Sequence, residues 1–190
     1  EGDGEAVILK EISAAEEEIG GYTDDLTEEE FFSFLKKRQG ILDGVAVSGG
    51  EPLLQKDIRS FIERVRALGL SVKLDTNGTF PDKLRELIDA KLVDYVAMDV
   101  KNSPARYAET TGLSTLDLAP IEESIRILKE NRVPYEFRTT VVEPLHTESS
   151  IREMAELVAA LDPAAGVSVR VEVPDDLGSF GYNPEMIIRL

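Results

Sequence analysis

The sequence predicts an α/β protein whose parallel strands form an open, partial (β/α)6 barrel. Six short apolar segments alternate with five segments of helical periodicity, and this order is typical of parallel strands joined by right-handed crossovers. No two neighbouring strands are joined by a hairpin signal. Six strands in a chain of this length favour a partial barrel over a closed eight-stranded one. An open doubly wound sheet is the alternative architecture.

The elements follow one another without a long break. The predicted strands cover residues 5–12, 44–48, 71–75, 95–100, 135–142 and 167–173, and the predicted helices cover residues 27–38, 54–68, 81–90, 120–131 and 148–161. The first helix has the clearest start, because Thr27 and Glu30 form a capping-box signature. In that helix Phe31, Phe34 and Leu35 recur at helical spacing, so we expect them to face the core. The stretch 102–115 shows no regular pattern.

Composition indicates one globular domain over residues 1–190 and narrows the function. The net charge of −16 argues against nucleic acid and against an anionic membrane surface, which both attract clustered Lys and Arg. There is no apolar run of membrane-spanning length and no signal peptide, so we expect a cytoplasmic protein. The chain has no cysteine and a single histidine, His146, which excludes disulfides, zinc–thiolate sites and histidine-cluster metal sites.

Polar residues collect where the apolar segments end. The second predicted strand runs into a glycine pair, and glycine lets the backbone approach another group closely because it has no Cβ. Ligand sites of parallel α/β proteins lie at the carboxyl ends of strands. We therefore expect one shared binding site, with no catalytic side chain and no metal ligand. Its candidate residues are Gly49, Gly50, Glu51, Asp75, Thr76, Asn77, Asp99, Lys101 and Arg138.

Five motifs in a fixed order make the sequence resemble a known family. They read GVAVSGGEP, VKLDTNG, LVDYVAMDVK, YEFRTTVV and PLHTE. Between about residues 26 and 161 the chain resembles the radical S-adenosylmethionine (radical SAM) enzymes, specifically the activating protein of anaerobic ribonucleoside-triphosphate reductase. The resemblance implies a TIM-like partial barrel of the radical SAM type. It also implies S-adenosylmethionine as a nucleoside ligand, a [4Fe-4S] cluster, and a glycyl radical enzyme as protein partner.

The resemblance also implies roles for the candidate residues. The backbone of 49–51 would meet the amino end of the methionine part of S-adenosylmethionine, and 75–77 would lie along its ribose or methionine part. Asp99 and Lys101 would face the barrel mouth, and Arg138 would bind a substrate carboxylate, since a guanidinium gives bidentate recognition. Two alternatives stay open. The Asp residues can serve turn chemistry, and Arg138 can form a structural salt bridge with Asp75 or Asp99.

One departure from the family is large. Its cluster is held by a Cys-x-x-x-Cys-x-x-Cys motif after the first strand, whereas this chain reads EISAAEEEIGGY there. Carboxylates are hard oxygen ligands, and iron–sulfur clusters are held by thiolates. The N-terminal segment 1–25 is therefore altered, and the C-terminal segment 174–190 also diverges.

Three functions remain open. The first is a cysteine-free relative, natural or engineered, that retains a weak S-adenosylmethionine pocket without radical chemistry. The second is a glycyl-radical activating enzyme whose cluster-binding segment is missing from this chain, and the third is a non-catalytic scaffold or interaction module. The residues alone favour the first, because the acidic segment occupies the place of the cysteine motif.

Overall fold

The computed structural model of the chain describes residues 5–9, 27–160, 168–172 and 187–189. The predictions for the altered segment, beyond the strand at 5–9, lie outside the described residues, as do those for most of 174–190. The described helices include none that is long and apolar enough to cross a membrane.

In the part of the chain that the structure describes, one sheet of seven strands organises the fold. Its strands are hydrogen-bonded in the order of the sequence, with six parallel strands followed by one antiparallel strand. They are β1 Glu5–Leu9, β2 Leu42–Val47, β3 Ser71–Thr76, β4 Tyr95–Asp99, β5 Tyr135–Thr140, β6 Ser168–Glu172 and β7 Ile187–Arg189. The predicted parallel α/β architecture is confirmed. Strand β7 was not predicted, because its three residues are too short to show a period in the sequence.

Within the described residues, six helices lie between the strands. They are α1 Glu28–Lys37, α2 Ile58–Ala67, α3 Pro81–Asp89, α4 Tyr107–Thr111, α5 Ala119–Lys129 and α6 Glu148–Ala160. Two predictions are wrong in detail. The helix predicted from residue 54 begins only at Ile58, because Pro52–Leu54 forms a separate 3-10 turn capped by the Glu51 side chain. The stretch that looked irregular contains a 3-10 turn, Pro104–Arg106, and the short helix α4.

Helix α1 buries a different set of aromatic side chains from the one that its periodicity predicts. The capping box of Thr27 and Glu30 is present as predicted, and Phe31 and Leu35 are buried. Phe34, however, is 36% exposed, and Phe32 is buried in its place. The Phe34 ring is covered instead by the guanidinium of Arg38, 3.9 Å from its centroid, so a charged side chain shields it from water.

Alternation along β3 places the charges on one side of the sheet. Val72 and Leu74 are fully buried in the hydrophobic core. Lys73, which lies between them, and Asp75, which follows Leu74, are only half-buried. Successive side chains of a strand point to opposite faces, so the charged residues lie on the face away from this core. The polar cluster described next stands on that face.

Candidate functional site

A small polar cleft lies at the carboxyl ends of β2 to β5. Its volume is about 110 Å³, and it is lined by Ser48, Gly49, Gly50, Asp75, Thr76, Asn77, Asp99, Lys101 and Arg138. The structure thus brings together every candidate residue except Glu51, which lies directly beside the cleft. Because the strands are parallel, residues far apart in sequence meet here at one edge of the sheet.

Five charged side chains form a continuous chain of ion pairs, four of them in the lining of this cleft and the fifth, Lys73, beside it. Arg138 Nη1 lies 3.1 Å from Asp75 Oδ2, and Arg138 Nε donates to Asp99 Oδ1 at 3.1 Å. Lys101 Nζ donates to the second oxygen of Asp99 at 2.8 Å. Lys73 Nζ lies 2.9 Å from Asp75 Oδ1, a close ion pair without hydrogen-bond geometry. Three cations face two anions, so the chain of pairs carries a formal excess of one positive charge.

Arg138 forms the salt bridges that the sequence analysis named as one of its possible roles. Its side chain is 19% exposed and pairs with both Asp75 and Asp99. Burial acts to lower the pKa of Arg138, but the two carboxylates outweigh burial and raise the pKa above its ordinary value. Recognition of a ligand carboxylate by Arg138 would have to use donors left over from these pairs.

The Glu51 side chain ties the glycine loop to β3. Its carboxylate accepts hydrogen bonds from the backbone N–H of Leu53 at 2.9 Å and of Asn77 at 2.7 Å, and from the hydroxyl of Thr76. Burial raises the pKa of Glu51, while these hydrogen bonds oppose the shift and the charge of Asp99 adds to it. The sequence assigned only backbone groups of 49–51 to the site and missed this carboxylate clamp.

The turn after β3 uses its own polar groups. Asn77 Oδ1 accepts from the backbone N–H of Thr79 at 3.0 Å and from its hydroxyl at 2.6 Å, and the Thr76 hydroxyl accepts from the N–H of Gly78. This is the turn chemistry that Asn and Thr favour. Thr76 and Asn77 therefore line the cleft as parts of a fixed turn.

Gly78 completes this turn at a position where only glycine fits. Its φ of +78° lies in the left-handed region, and an added Cβ would lie 2.1 Å from Cε of the buried Met98. The Ser124 hydroxyl of α5 donates to the Gly78 carbonyl at 2.7 Å. The turn is thereby anchored to the layer of helices behind the sheet.

A second, more apolar cleft shares a wall with the polar one. It measures about 320 Å³ and is lined by Val47, Ser48, Gly49, Gly50, Glu51, Pro52, Gln55, Asp57, Ile58 and Phe61. Ser48 and the glycine pair line both clefts. Gly49 has a φ of +151°, a conformation that favours glycine, so the wall is bare backbone.

Two residues of the site escaped the sequence analysis. Lys73 adds a second cation to Asp75 on the same strand, β3, and its signal was the alternation with Asp75 two positions later. Ser48 follows β2 directly, precedes the glycine pair and lines both clefts. Its only signal was its place between the strand and Gly49.

The donor set of the chain does not fit an iron–sulfur cluster. The sequence holds no cysteine, and within the described residues no group of three His, Cys, Asp or Glu side chains could hold a metal ion. Clusters need thiolate ligands. The polar cleft instead offers carboxylates and cations beside the glycine pair.

Known relatives share long parts of this chain. A glycyl-radical enzyme activating enzyme of Methanocaldococcus jannaschii is 41% identical over 125 residues, which are 63% of this chain and 52% of that protein. A 7-carboxy-7-deazaguanine synthase of Thermococcus kodakarensis is 36% identical over 105 residues, 54% of this chain and 39% of the relative. The chain thus spans about half or less of the length of these curated relatives.

Solved structures show the same fold at low identity. Coproporphyrinogen III oxidase (HemN) from Escherichia coli superposes with a TM-score of 0.57 at 13% identity, covering 88% of this chain and 44% of that one. TYW1 with a lysine–pyruvate adduct gives a TM-score of 0.56 at 16% identity, covering 85% and 55%. Residues 11–158, more than half of the sequence, match the radical SAM superfamily. The chain therefore belongs to the radical SAM superfamily.

Proposed function

We propose that this chain is a radical SAM domain that binds S-adenosylmethionine, or a closely related nucleoside, without carrying out radical chemistry. The observation that carries the proposal is the paired cleft at Gly49 and Gly50, which survives in a chain with no cluster ligands. In this proposal the domain itself lacks cysteine ligands, and no other segment supplies them.

The sizes of the two clefts support a ligand that spans both. Small-molecule sites typically measure about 300 to 1,000 Å³, so the polar cleft of about 110 Å³ is too small for a nucleoside on its own. The adjoining cleft of about 320 Å³ lies at the lower end of that range by itself, and the wall of Ser48, Gly49 and Gly50 that both clefts share would let a ligand in it extend into the polar cleft. The methionine part would lie among Asp75, Asp99 and Lys101, and the apolar part of the ligand would pass over the glycine wall towards Ile58 and Phe61.

The chain's own residues would bind and orient the ligand. Lys101 and the remaining donors of Arg138 would face the ligand carboxylate, and Asp75 and Asp99 would face its ammonium and sulfonium charges. Each hydrogen bond contributes about 1 kcal/mol net, and association has its own entropic cost. We expect a dissociation constant between about 1 μM and 1 mM.

Isothermal titration of iron-free protein with S-adenosylmethionine tests the proposal. We expect saturable heat in the wild-type protein and weaker binding in Gly49→Ala, because a methyl group would enter the wall between the clefts. Gly69→Ala is the matched control, since Gly69 also has a positive φ of +81° but an added Cβ meets nothing within 4 Å. No heat and no thermal shift at millimolar ligand would refute the proposal and favour a scaffold or interaction module.

The identity to the M. jannaschii protein favours a second candidate, an activating enzyme of a glycyl radical enzyme. In that case the cluster ligands would come from outside this sequence, and the protein partner would be the glycyl radical enzyme. Anaerobic reconstitution followed by iron analysis of this chain together with the segment that supplies the ligands would give a cluster under the second candidate, whereas this chain alone should stay free of iron under both. Our proposal expects no stoichiometric iron in this chain, and a full cluster complement would contradict it.

A further inference from the structure

The residues that follow β4 are hydrogen-bonded to β5 and to the connection after it. At the strand ends, the backbone N–H of Val100 donates to the Arg138 carbonyl at 2.8 Å, and the Thr139 hydroxyl donates to the Val100 carbonyl at 2.6 Å. One residue further on, His146 Nε2 lies 2.7 Å from the Lys101 carbonyl. After that, Asn102 Nδ2 donates to the Leu145 carbonyl at 2.8 Å. Three consecutive residues, 100 to 102, are therefore each tied to the neighbouring connection.

The partners of His146 define the state of its ring. A carbonyl oxygen only accepts, so Nε2 must carry the hydrogen that reaches Lys101. Nδ1 faces the backbone of Val142, with the N–H at 3.0 Å and the carbonyl oxygen at 3.2 Å. The ring is buried, with 9% exposure. Each ring nitrogen therefore has a backbone partner, and Nε2 is the one that reaches Lys101.

We propose that His146 is a positioning residue, which fixes Lys101 and thereby the cationic side of the polar cleft. Lys101 has two attachments: its carbonyl is bound by His146, and its ammonium is bound to Asp99 at 2.8 Å. Because His146 holds the backbone of Lys101 and Asp99 holds its side chain, the Lys101 ammonium stays in one position at the cleft. The part of this inference that concerns ligand affinity rests on the proposed function; the part that concerns Lys101 does not.

Two substitutions separate the two hydrogen bonds of the ring. In His146→Gln the side-chain amide N–H can still reach the Lys101 carbonyl in place of Nε2–H, while the contact with Val142 is lost. In His146→Asn the shorter side chain can still accept from Val142 in place of Nδ1, but it cannot reach Lys101. A purely structural histidine would respond to both changes alike, whereas a positioning residue is rescued by Gln only.

The first measurement needs no ligand. Hydrogen–deuterium exchange of the peptide covering residues 99–103 should be about tenfold faster in His146→Asn and near the wild-type rate in His146→Gln. Val142→Ala is the control, because it keeps the backbone N–H and trims a partly exposed side chain of the same loop. Equal exchange in the Asn and Gln variants would overturn the proposal, whatever the protein binds.

The second measurement uses S-adenosylmethionine. We expect the affinity to fall about tenfold in His146→Asn and less than threefold in His146→Gln and Val142→Ala. If the wild-type protein binds nothing while the exchange pattern holds, the proposed function fails and the positioning role stands. An affinity that is equal in the Asn and Gln variants overturns the link to the cleft.

Wild-type protein provides a check that does not depend on any variant folding. His146 is the single histidine of the chain, so ¹⁵N labelling of histidine gives one pair of ring signals. Nε2 should show a bound hydrogen, since it must donate to the Lys101 carbonyl. A ring that carries hydrogen on Nδ1 but not on Nε2 would overturn the proposal.

Discussion

Replacing Arg138 by alanine should destabilise the protein, because it leaves two neighbouring carboxylates without their shared partner. Arg138 holds Asp75 on β3 and Asp99 on β4 from its place on β5. Removing one partner of a fully buried ion pair costs about 3 to 5 kcal/mol, and an exposed pair contributes about 0 to 1 kcal/mol. The side chains of Arg138 and Asp75 are 19% and 16% exposed, near the buried end of this scale. We expect a loss of about 2 to 3 kcal/mol.

Urea denaturation of three variants measures this loss. Arg138→Ala should lower the midpoint without changing the slope, and Arg138→Lys should recover less than half, since an ammonium cannot span both carboxylates. Arg152→Ala is the control, because Arg152 forms an exposed pair with Glu148, and it should change stability by less than about 0.5 kcal/mol. An Arg138→Ala variant as stable as the wild type would refute the assignment of Arg138 as a structural ion-pair partner.

Two further predictions concern the turn after β3 and the alkaline limit of stability. Gly78→Ala should lower the free energy of unfolding by about 2 to 4 kcal/mol in urea denaturation, since it combines a positive φ with a clash against Met98. Gly112→Ala is the control. Its added Cβ meets nothing within 4 Å, so it should cost only about 1 kcal/mol. Equal losses of stability in the two variants would show that the Met98 side chain moves aside at little cost. Burial raises the pKa of Tyr107 from 10.0 to about 12. As pH rises through this window, the wild type should therefore lose stability relative to Tyr107→Phe, by about 1.4 kcal/mol per pH unit. A difference in unfolding free energy between the two proteins that stays constant with pH would contradict this prediction.

The parallel order of the strands could be predicted because each strand and helix carries its own local signal. Apolar runs ending in polar residues placed β2 to β5 within one or two residues, and the Thr27 capping box placed the start of α1. Phe34 was misplaced because a run of aromatic residues satisfies more than one helical face. The packing of Phe32 and Phe31 against Phe61, with ring centroids 5.4 and 5.8 Å apart, decides which face turns inward.

The candidate site could be predicted as a location but not as a set of contacts. The rule that ligand sites follow the carboxyl ends of parallel strands brought residues from four strands together. Which charge pairs with which depends on cross-strand distances that a single sequence does not contain. Arg138 therefore had two possible roles until its distances to Asp75 and Asp99 were known, and the side-chain bonds of Glu51 and His146 had no local signature at all.

The strictly sequential order of the sheet has a consequence for how the domain is assembled. Each strand pairs with the strand that follows it in the chain, so every new strand–helix unit can dock onto a surface that has already been synthesised. The residues that line the polar cleft lie between Ser48 and Arg138, on the four consecutive strands β2 to β5. A ribosome-bound chain that has released residues up to α6 would already contain all of them. Strand β6 would then cover the exposed edge of β5, and β7 the edge of β6.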